Sequence, residues 1–301
     1  MNKDPPPVEN QPLLRGLWNQ AVSPVTFDFS TFLAALDCFR QIHSPNSGID
    51  LNICAGGFRE VGLRDQHMTM AEKRWRLKGV ILDLCELLPT IRRLAVTPTI
   101  EGSFAYPNDA RASYWAKRLL EFHQQGANPR VLRAPAYAVE KIKFPRPYVT
   151  MTLRTSNYFP DRNANLLEWH LFHQELRAAG FTVVVVPDQG DVLGQQIYKQ
   201  FDWHTYEPAC FDLRLRQALY ENAIMNIGSS NGPVGMMFYS EAPVLQFDQL
   251  RGGVYGADFW RSSLGFPPGE QYPWSRPDQR MTWTDSTYEN MVREWNALKL
   301  Q

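Results

Sequence analysis

A run of eight residues at 181–188, Phe-Thr-Val-Val-Val-Val-Pro-Asp, constrains the fold more than any other feature of the sequence. Such a continuous β-branched run is typical of a strand buried on both faces of a parallel sheet. The preceding segment, residues 163–179, carries apolar side chains at helical spacing and ends before Gly180, a residue type that commonly ends a helix. A helix that leads into a doubly buried strand indicates an α/β protein.

The rest of the second half repeats this alternation of strand and helix. Strands are predicted at 148–153, 181–188, 223–227 and 243–248, and helices at 163–179, 211–222 and, in a short form, 233–238. Four strands with intervening helices predict a doubly wound, Rossmann-like sheet.

The first half shows a similar alternation. Strands are predicted at 24–29, 50–55 and 93–97, and helices from Ser30 onward, at 71–88 and at 110–125, after an extended Pro-rich arm at 1–20. Two prolines within 144–147 disfavour both helix and central strand, and so mark a linker. We therefore predict an α/β fold of two Rossmann-like domains, at 1–145 and 146–285, followed by a last helix at 286–301.

Composition restricts the possible partners. The 31 Lys and Arg residues balance the 31 Asp and Glu residues, so net charge gives no reason to expect nucleic-acid binding. No apolar run approaches the ~18 residues of a membrane helix, and the first residues lack the apolar core of a signal peptide. The four scattered cysteines indicate reduced thiols, and no metal site is predicted. We expect a cytoplasmic protein; the sequence indicates no particular oligomeric state.

Ligands of open parallel sheets bind beyond the carboxyl ends of the strands, which directs attention to the loops there. After the first strand of the second half come Arg154, Arg162 and Asn163, just before a predicted helix start. Guanidinium groups match phosphate geometry, and a helix start offers unpaired amides. This loop is predicted to clamp a diphosphate; a solvated surface loop is the alternative.

A second candidate loop follows the strand at 223–227 and contains Ser229, Ser230, Asn231 and Gly232. A small polar turn of this kind exposes several backbone N–H groups to one anion, and the Ser and Asn side chains add further donors. An ordinary strand-to-helix turn with a Ser or Asn cap is the alternative. Both loops are expected at one edge of the sheet.

Carboxylates and one histidine supply the remaining candidates. Asp188, after the buried strand, and Glu207, before the helix at 211–222, are candidates for holding ribose hydroxyl groups. In the first half, Asp65 or His67 is a candidate general base toward an acceptor hydroxyl, with Arg59 and Arg64 as anion-binding neighbours. A turn or polar surface loop without a ligand is the alternative at each position.

The second half resembles the nucleotide-binding domain of GT-B glycosyltransferases. The stretches that carry the resemblance are TLRTSNYFPDRN at 152–163, VVVVPDQ at 183–189, RQALYENAIMNIGSSNGPVGMMFYSEAPVLQFD at 216–248 and the ending at 273–298. The resemblance implies two Rossmann-like domains whose parallel sheets face each other across a cleft, and a last helix that crosses back toward the first domain. It also implies transfer of a sugar from a nucleotide-sugar donor to the hydroxyl of a glycan or small-molecule acceptor.

The resemblance further implies that the departing diphosphate is stabilised without a metal ion, and no Asp-x-Asp motif occurs. Arg154, Arg162 and the amides at 229–232 would supply the positive charge. No cofactor besides the nucleotide-sugar substrate is expected, and polysaccharide biosynthesis is the expected context. A non-catalytic nucleotide-binding module and a sugar-nucleotide epimerase stay open as alternatives. NAD-dependent chemistry is disfavoured, because Gly-x-Gly-x-x-Gly does not occur, and serine-hydrolase chemistry is disfavoured as well.

Overall fold

The computed structural model describes residues 12–61, 63–106, 112–250 and 256–299. The elements of the first half are β1 (Leu13–Asn19), α1 (Asp28–His43), β2 (Gly48–Cys54), α2 (Leu63–His67), α3 (Met70–Arg76), a π-helical stretch (Leu77–Leu82), α4 (Asp83–Glu86), β3 (Ile91–Thr97), α5 (Ala112–Gln124) and α6 (Ala136–Val139). The three strands form a parallel sheet with β2 in the centre.

The second half contains a larger sheet. Its elements are β4 (Tyr148–Thr152), α7 (Leu166–Ala178), β5 (Thr182–Val186), α8 (Gln189–Leu193), β6 (His204–Thr205), α9 (Pro208–Phe211), α10 (Leu213–Asn222), β7 (Met225–Ser229), α11 (Gly232–Gly235), β8 (Val244–Phe247), α12 (Ala257–Phe259), β9 (Gln279–Met281) and α13 (Tyr288–Lys299). All pairs in this sheet are parallel, in the order β6-β5-β4-β7-β8-β9. The predicted α/β class with two parallel sheets is therefore confirmed.

The four strands predicted for the second half form the middle of its sheet. Residues Val183 to Val186 of β5 are all buried, and so is every residue of β4 and β7. This double-sided burial explains the near-continuous apolar run of β5. The outer strands β6 and β9 escaped prediction because two and three residues are too few to show a strand pattern.

The start of the chain differs from the prediction. Leu13–Asn19 is a parallel strand rather than part of an extended arm, and residues 24–29 form no strand, because α1 already begins at Asp28. The aromatic residues of this region serve the core: the Trp18 ring lies 4.7 Å from the Phe29 ring and 4.9 Å from the Phe32 ring. Their hydrophobic pattern therefore reports packing between β1 and α1.

Two hydrophobic cores support the two sheets, and the first core extends into the second half. It includes Met236, Met237 and Phe238, all fully buried, together with residues of α1 and β2. The segment before β4 is tied to both halves, since the Leu132 amide donates to the Tyr239 carbonyl and the Arg133 amide to the Leu87 carbonyl. The two halves are therefore packed against each other through a shared apolar layer.

The last helix, α13, does not cross back toward the first half as predicted. Its buried side chains Met291 and Trp295 belong to the second core, and the Tyr288 amide donates to Glu168 of α7 (2.7 Å). The helix packs on α7 because its apolar stripe matches the face of that helix beside the second sheet. None of the helices in the described part of the chain is long and apolar enough to cross a membrane.

Helix α7 carries a histidine whose burial predicts an acid-sensitive fold. His173 is 2 % exposed, and burial, with a contribution from Arg177, lowers its pKa to about 4. In the unfolded chain the pKa of a histidine is about 6.5, so the unfolded state takes up a proton first as the pH falls. Stability is therefore lost between about pH 6.5 and about pH 4.

We expect His173→Leu to remove that part of the acid sensitivity. The melting temperature of the variant should fall less than that of the wild type between pH 6.5 and pH 4, as measured by calorimetry. His204→Leu, at an exposed position, is the control and should follow the wild type. Parallel acid profiles for His173→Leu and the wild type would show that His173 does not cause the loss.

Candidate functional site

A cleft of about 1120 Å³ lies between the two halves. From the second half it is lined by residues just beyond β4, β5 and β7, and from the first half by residues 26–31 and by parts of α2 and α3. It therefore lies at the carboxyl ends of the parallel strands, where ligands of such sheets bind. Its volume is at the upper end of the range for small-molecule sites, roughly 1,000 Å³.

The cleft brings together seven of the predicted site residues and leaves out four. Its lining includes His67, Arg154, Arg162, Asp188, Ser230, Asn231 and Gly232. Asp65, Asn163, Glu207 and Ser229 do not line it.

Arg154 lies beneath its own loop and is 7 % exposed. Its guanidinium donates to the Phe159 carbonyl (2.9 Å), the Tyr158 carbonyl and the Asn163 side-chain oxygen. Asn163 in turn binds the amide (3.0 Å) and the carbonyl (2.9 Å) of Ser156. Both side chains therefore stabilise the loop after β4 through their hydrogen bonds, and this role differs from the predicted phosphate clamp.

Arg162 joins the two predicted loops. It is half-buried, and its guanidinium donates to the Ser230 carbonyl (2.8 Å). The loop after β4 and the loop after β7 therefore meet at one edge of the sheet, and the remaining face of Arg162 borders the cleft.

The turn after β7 borders the cleft through Ser230 and Asn231. The Asn231 amide donates to no carbonyl or side chain in the described ranges. The Asn231 side chain caps α11 by accepting from the Val234 amide (2.9 Å). Ser229 points elsewhere: it is fully buried, and its hydroxyl has no hydrogen-bond partner among the described residues.

Gly232 is where the turn touches the first half. A Cβ at this position would lie 2.5 Å from the Cβ of Phe27 and 2.6 Å from two of its ring atoms. Only a glycine allows this approach, because any side chain would force the turn away from the start of α1.

The remaining predicted carboxylates have structural partners. Asp65 is 5 % exposed and pairs with Arg59 (3.4 Å). Both residues were predicted to face the cleft, and neither of them lines it. Glu207 accepts a hydrogen bond from the Tyr198 hydroxyl. Asp188 lines the cleft while its Oδ1 caps α8 through the Gly190 amide (2.9 Å), which leaves its second oxygen for a ligand.

Arg216 is a cleft residue that the sequence analysis missed. It lies on α10, is 4 % exposed, and pairs with no carboxylate within the parts of the chain that the structure describes. Its charge lies close to Cys210. Burial raises the pKa of the Cys210 thiol to about 11, and the positive charge of Arg216 acts in the opposite direction. A buried cation without a counter-ion is costly, so this position favours an anion in the cleft.

Two other polar groups in the cleft lining lack partners. The Thr155 hydroxyl and the Gln249 side-chain nitrogen are buried, and neither has a hydrogen-bond partner among the described residues. Such groups are rare in native proteins and point to a ligand or an ordered water.

Asp28 is the second residue that the sequence analysis missed. It begins α1, lines the cleft, and accepts a hydrogen bond from the Thr26 hydroxyl (2.9 Å). Because it follows Phe27, which touches Gly232, its carboxylate lies where the first half meets the turn after β7. The prediction of a strand at residues 24–29 concealed the helix start at Asp28.

Solved structures share this architecture. The glycosyl transferase family 9 protein from Veillonella parvula superposes with a TM-score of 0.51 at 12% identity, over 95% of this chain and 90% of that one. The E. coli ADP-heptose LPS heptosyltransferase II superposes with a TM-score of 0.52 at 13% identity, over 96% of this chain and 99% of that one. The chain has the GT-B fold. No family model and no curated protein matches the sequence.

In this GT-B fold the cleft is the space between the two sheets that the resemblance implied. No group of three or more His, Cys, Asp and Glu side chains in the described ranges is placed to hold a metal ion. Four arginines line the cleft: Arg76, Arg154, Arg162 and Arg216. Arg76 pairs with Glu72 (3.1 Å) and Arg154 donates within its own loop, so Arg162 and Arg216 are the candidates for an anionic ligand.

Removing the Arg154 side chain should loosen the loop after β4. We expect Arg154→Ala to lose on the order of 2–4 kcal/mol of stability, because several charge-assisted hydrogen bonds disappear and the carbonyls lose their partner. Hydrogen exchange of the amides at 156–163 should become faster, as measured by mass spectrometry. Arg162→Ala, which removes one bond to Ser230, is the matched control and should cost less. Unchanged exchange in Arg154→Ala would contradict this role.

Proposed function

We propose that the protein is a glycosyltransferase that moves a sugar from a nucleoside-diphosphate donor to an acceptor hydroxyl. The observation that carries the proposal is Arg216, a buried cation without a carboxylate partner among the described residues, at a cleft between the two sheets of a GT-B fold. A diphosphate is the anion that such a cleft would hold in this fold. The two similar structures carry names of transferases, which supports the same assignment.

The donor diphosphate is proposed to lie across the ends of β4 and β7. Arg216 adjoins Tyr220, whose hydroxyl bonds to Thr152 at the end of β4 (2.7 Å), and the Ser230 and Asn231 amides lie at the end of β7. These strands are neighbours in the sheet, so their ends lie about 5 Å apart, and one diphosphate can contact both. Asp188, at the end of β5, stays the predicted partner of the ribose hydroxyls.

Asp28 is the proposed general base. Its carboxylate takes the proton of the acceptor hydroxyl while that oxygen forms a bond to the anomeric carbon. The bond from this carbon to the diphosphate breaks, and the diphosphate leaves with the electron pair. Arg216, Arg162 and the amides of Ser230 and Asn231 stabilise the charge that develops on it. His67, which also lines the cleft, stays a predicted alternative base.

The donor site can be tested by calorimetric titration with UDP, GDP, ADP and CMP, with inorganic phosphate as a control ligand. We expect one nucleoside diphosphate to bind with a micromolar Kd, and Arg216→Met to weaken it by about 100-fold or more. The empty Arg216→Met variant should melt close to the wild type, because removal of the buried charge offsets loss of the hydrogen bond from Arg216 to the Ala209 carbonyl (2.5 Å). Arg177→Met, at an exposed arginine of α7, is the matched control.

Two outcomes would contradict the donor site. If no nucleotide binds, the cleft lacks the proposed ligand class. If Arg216→Met melts much lower while keeping nucleotide affinity, Arg216 supports the fold and does not bind the donor.

The base can be tested separately by its effect on turnover. Asp28→Asn should keep the nucleotide Kd within about twofold and lower transfer by roughly 10²–10⁴-fold, because only proton removal is lost. Release of nucleoside diphosphate from a nucleotide-sugar panel, with methyl glycosides as acceptors, measures transfer; His67→Gln is the comparison. A larger loss in His67→Gln would reassign the base. Binding without release would indicate a non-catalytic module, and sugar conversion without an acceptor an epimerase.

A further inference from the structure

Tyr158 and Phe159 face the cleft from the loop after β4, and the proposed donor site uses neither of them. Both side chains are half-buried, and their ring centroids lie 4.3 Å apart at 55°. The other Phe, Tyr and Trp residues in the described lining pack into or against the first core: Phe27, Trp75, Tyr239, Phe259, Trp260 and Tyr272. Tyr158 and Phe159 belong to neither core. The two hydrophobic cores therefore do not account for this pair.

The backbone beneath the pair is held firmly. The buried Arg154 guanidinium donates to the carbonyls of both residues, and the Tyr158 amide donates to the Ser156 hydroxyl (3.1 Å). A loop fixed in this way presents its rings without losing conformational freedom when a ligand binds.

Phe159 adopts a conformation that an aromatic residue disfavours. Its φ of 52° and ψ of 68° lie in the left-handed region, which glycine and asparagine enter far more readily. An aromatic side chain at a left-handed position is unfavourable for the backbone and adds nothing to either core. Backbone conformations of this kind cluster at ligand-binding sites.

The position of the pair indicates which part of a substrate it meets. The Tyr158 ring lies 5.7 Å from the ring of His67 in the first half, and the same loop continues to Arg162, which binds the turn after β7. The pair therefore lies between the proposed phosphate site and the first half. A nucleobase would extend the other way, from the ribose at Asp188 along the second sheet.

We propose that Tyr158 and Phe159 form a stacking platform for the pyranose ring of a neutral acceptor sugar. The ring hydrogens on one face of a pyranose carry partial positive charge, and the face of an aromatic ring is negative. The place of this sugar as an acceptor rests on the proposed function, whereas its binding to the two rings does not.

The test is saturation-transfer NMR with methyl pyranosides of glucose, galactose, mannose and N-acetylglucosamine, each with and without the nucleoside diphosphates used above. We expect saturation to pass from the wild-type protein to the hydrogens on one face of at least one of these sugars. Tyr158→Phe should retain this saturation transfer. Tyr158→Ala and Phe159→Gly should weaken sugar binding by about tenfold, since each loses one stacked ring. Leu167→Ala removes an exposed apolar side chain on α7 and should change nothing.

Phe159→Gly separates a ligand-binding role from a structural one. Glycine accepts the left-handed backbone, so this variant should melt at or above the wild-type temperature while it loses sugar binding. A fall in melting temperature together with the loss would make Phe159 a structural residue and overturn its part in the platform.

Three further results bear on the platform. If none of the pyranosides in the panel receives saturation, the platform is overturned. Loss of nucleotide affinity rather than sugar affinity in Tyr158→Ala and Phe159→Gly would also overturn it, because the rings would then hold the base. Sugar binding that persists when no nucleotide binds would support the platform and contradict the transferase.

Discussion

The close contact between Gly232 and Phe27 is the constraint on which the site depends. The two halves approach here because position 232 has no side chain to separate them. The approach brings the start of α1, which carries Asp28, to the turn that carries Ser230 and Asn231, and all three residues line the cleft. In the proposed transfer the base and the leaving-group site must be neighbours, because a single carbon links the bond that forms to the bond that breaks.

Much of the second sheet could be predicted from the sequence, and the start of the first could not. β5 is buried on both faces, so its apolar run has one structural explanation. β1 contains Arg15 and Gly16 and shows no such run; its pairing with β2 and the approach of Leu36 to Gly16 make it a strand. Such tertiary contacts leave little trace in the local sequence.

The same limit applies to the candidate site. The sequence located the loops after β4 and β7, because loops at strand ends follow from the order of elements. It could not separate Arg154 from Arg162, since their different tasks depend on which carbonyls fold back over each guanidinium. Arg216 is harder still: it shares a helix with residues of both cores, and only the packed structure shows that it borders the cleft.

The first core crosses the boundary between the halves through Met236, Met237 and Phe238. Neither half is therefore an exchangeable module, because a replacement partner would have to reproduce the apolar surface that covers these side chains. Grafting a different first half to change acceptor choice would expose them and invite aggregation. Diversification of specificity in such a protein is confined to the segments that border the cleft without entering the core, above all the loop that carries Tyr158 and Phe159.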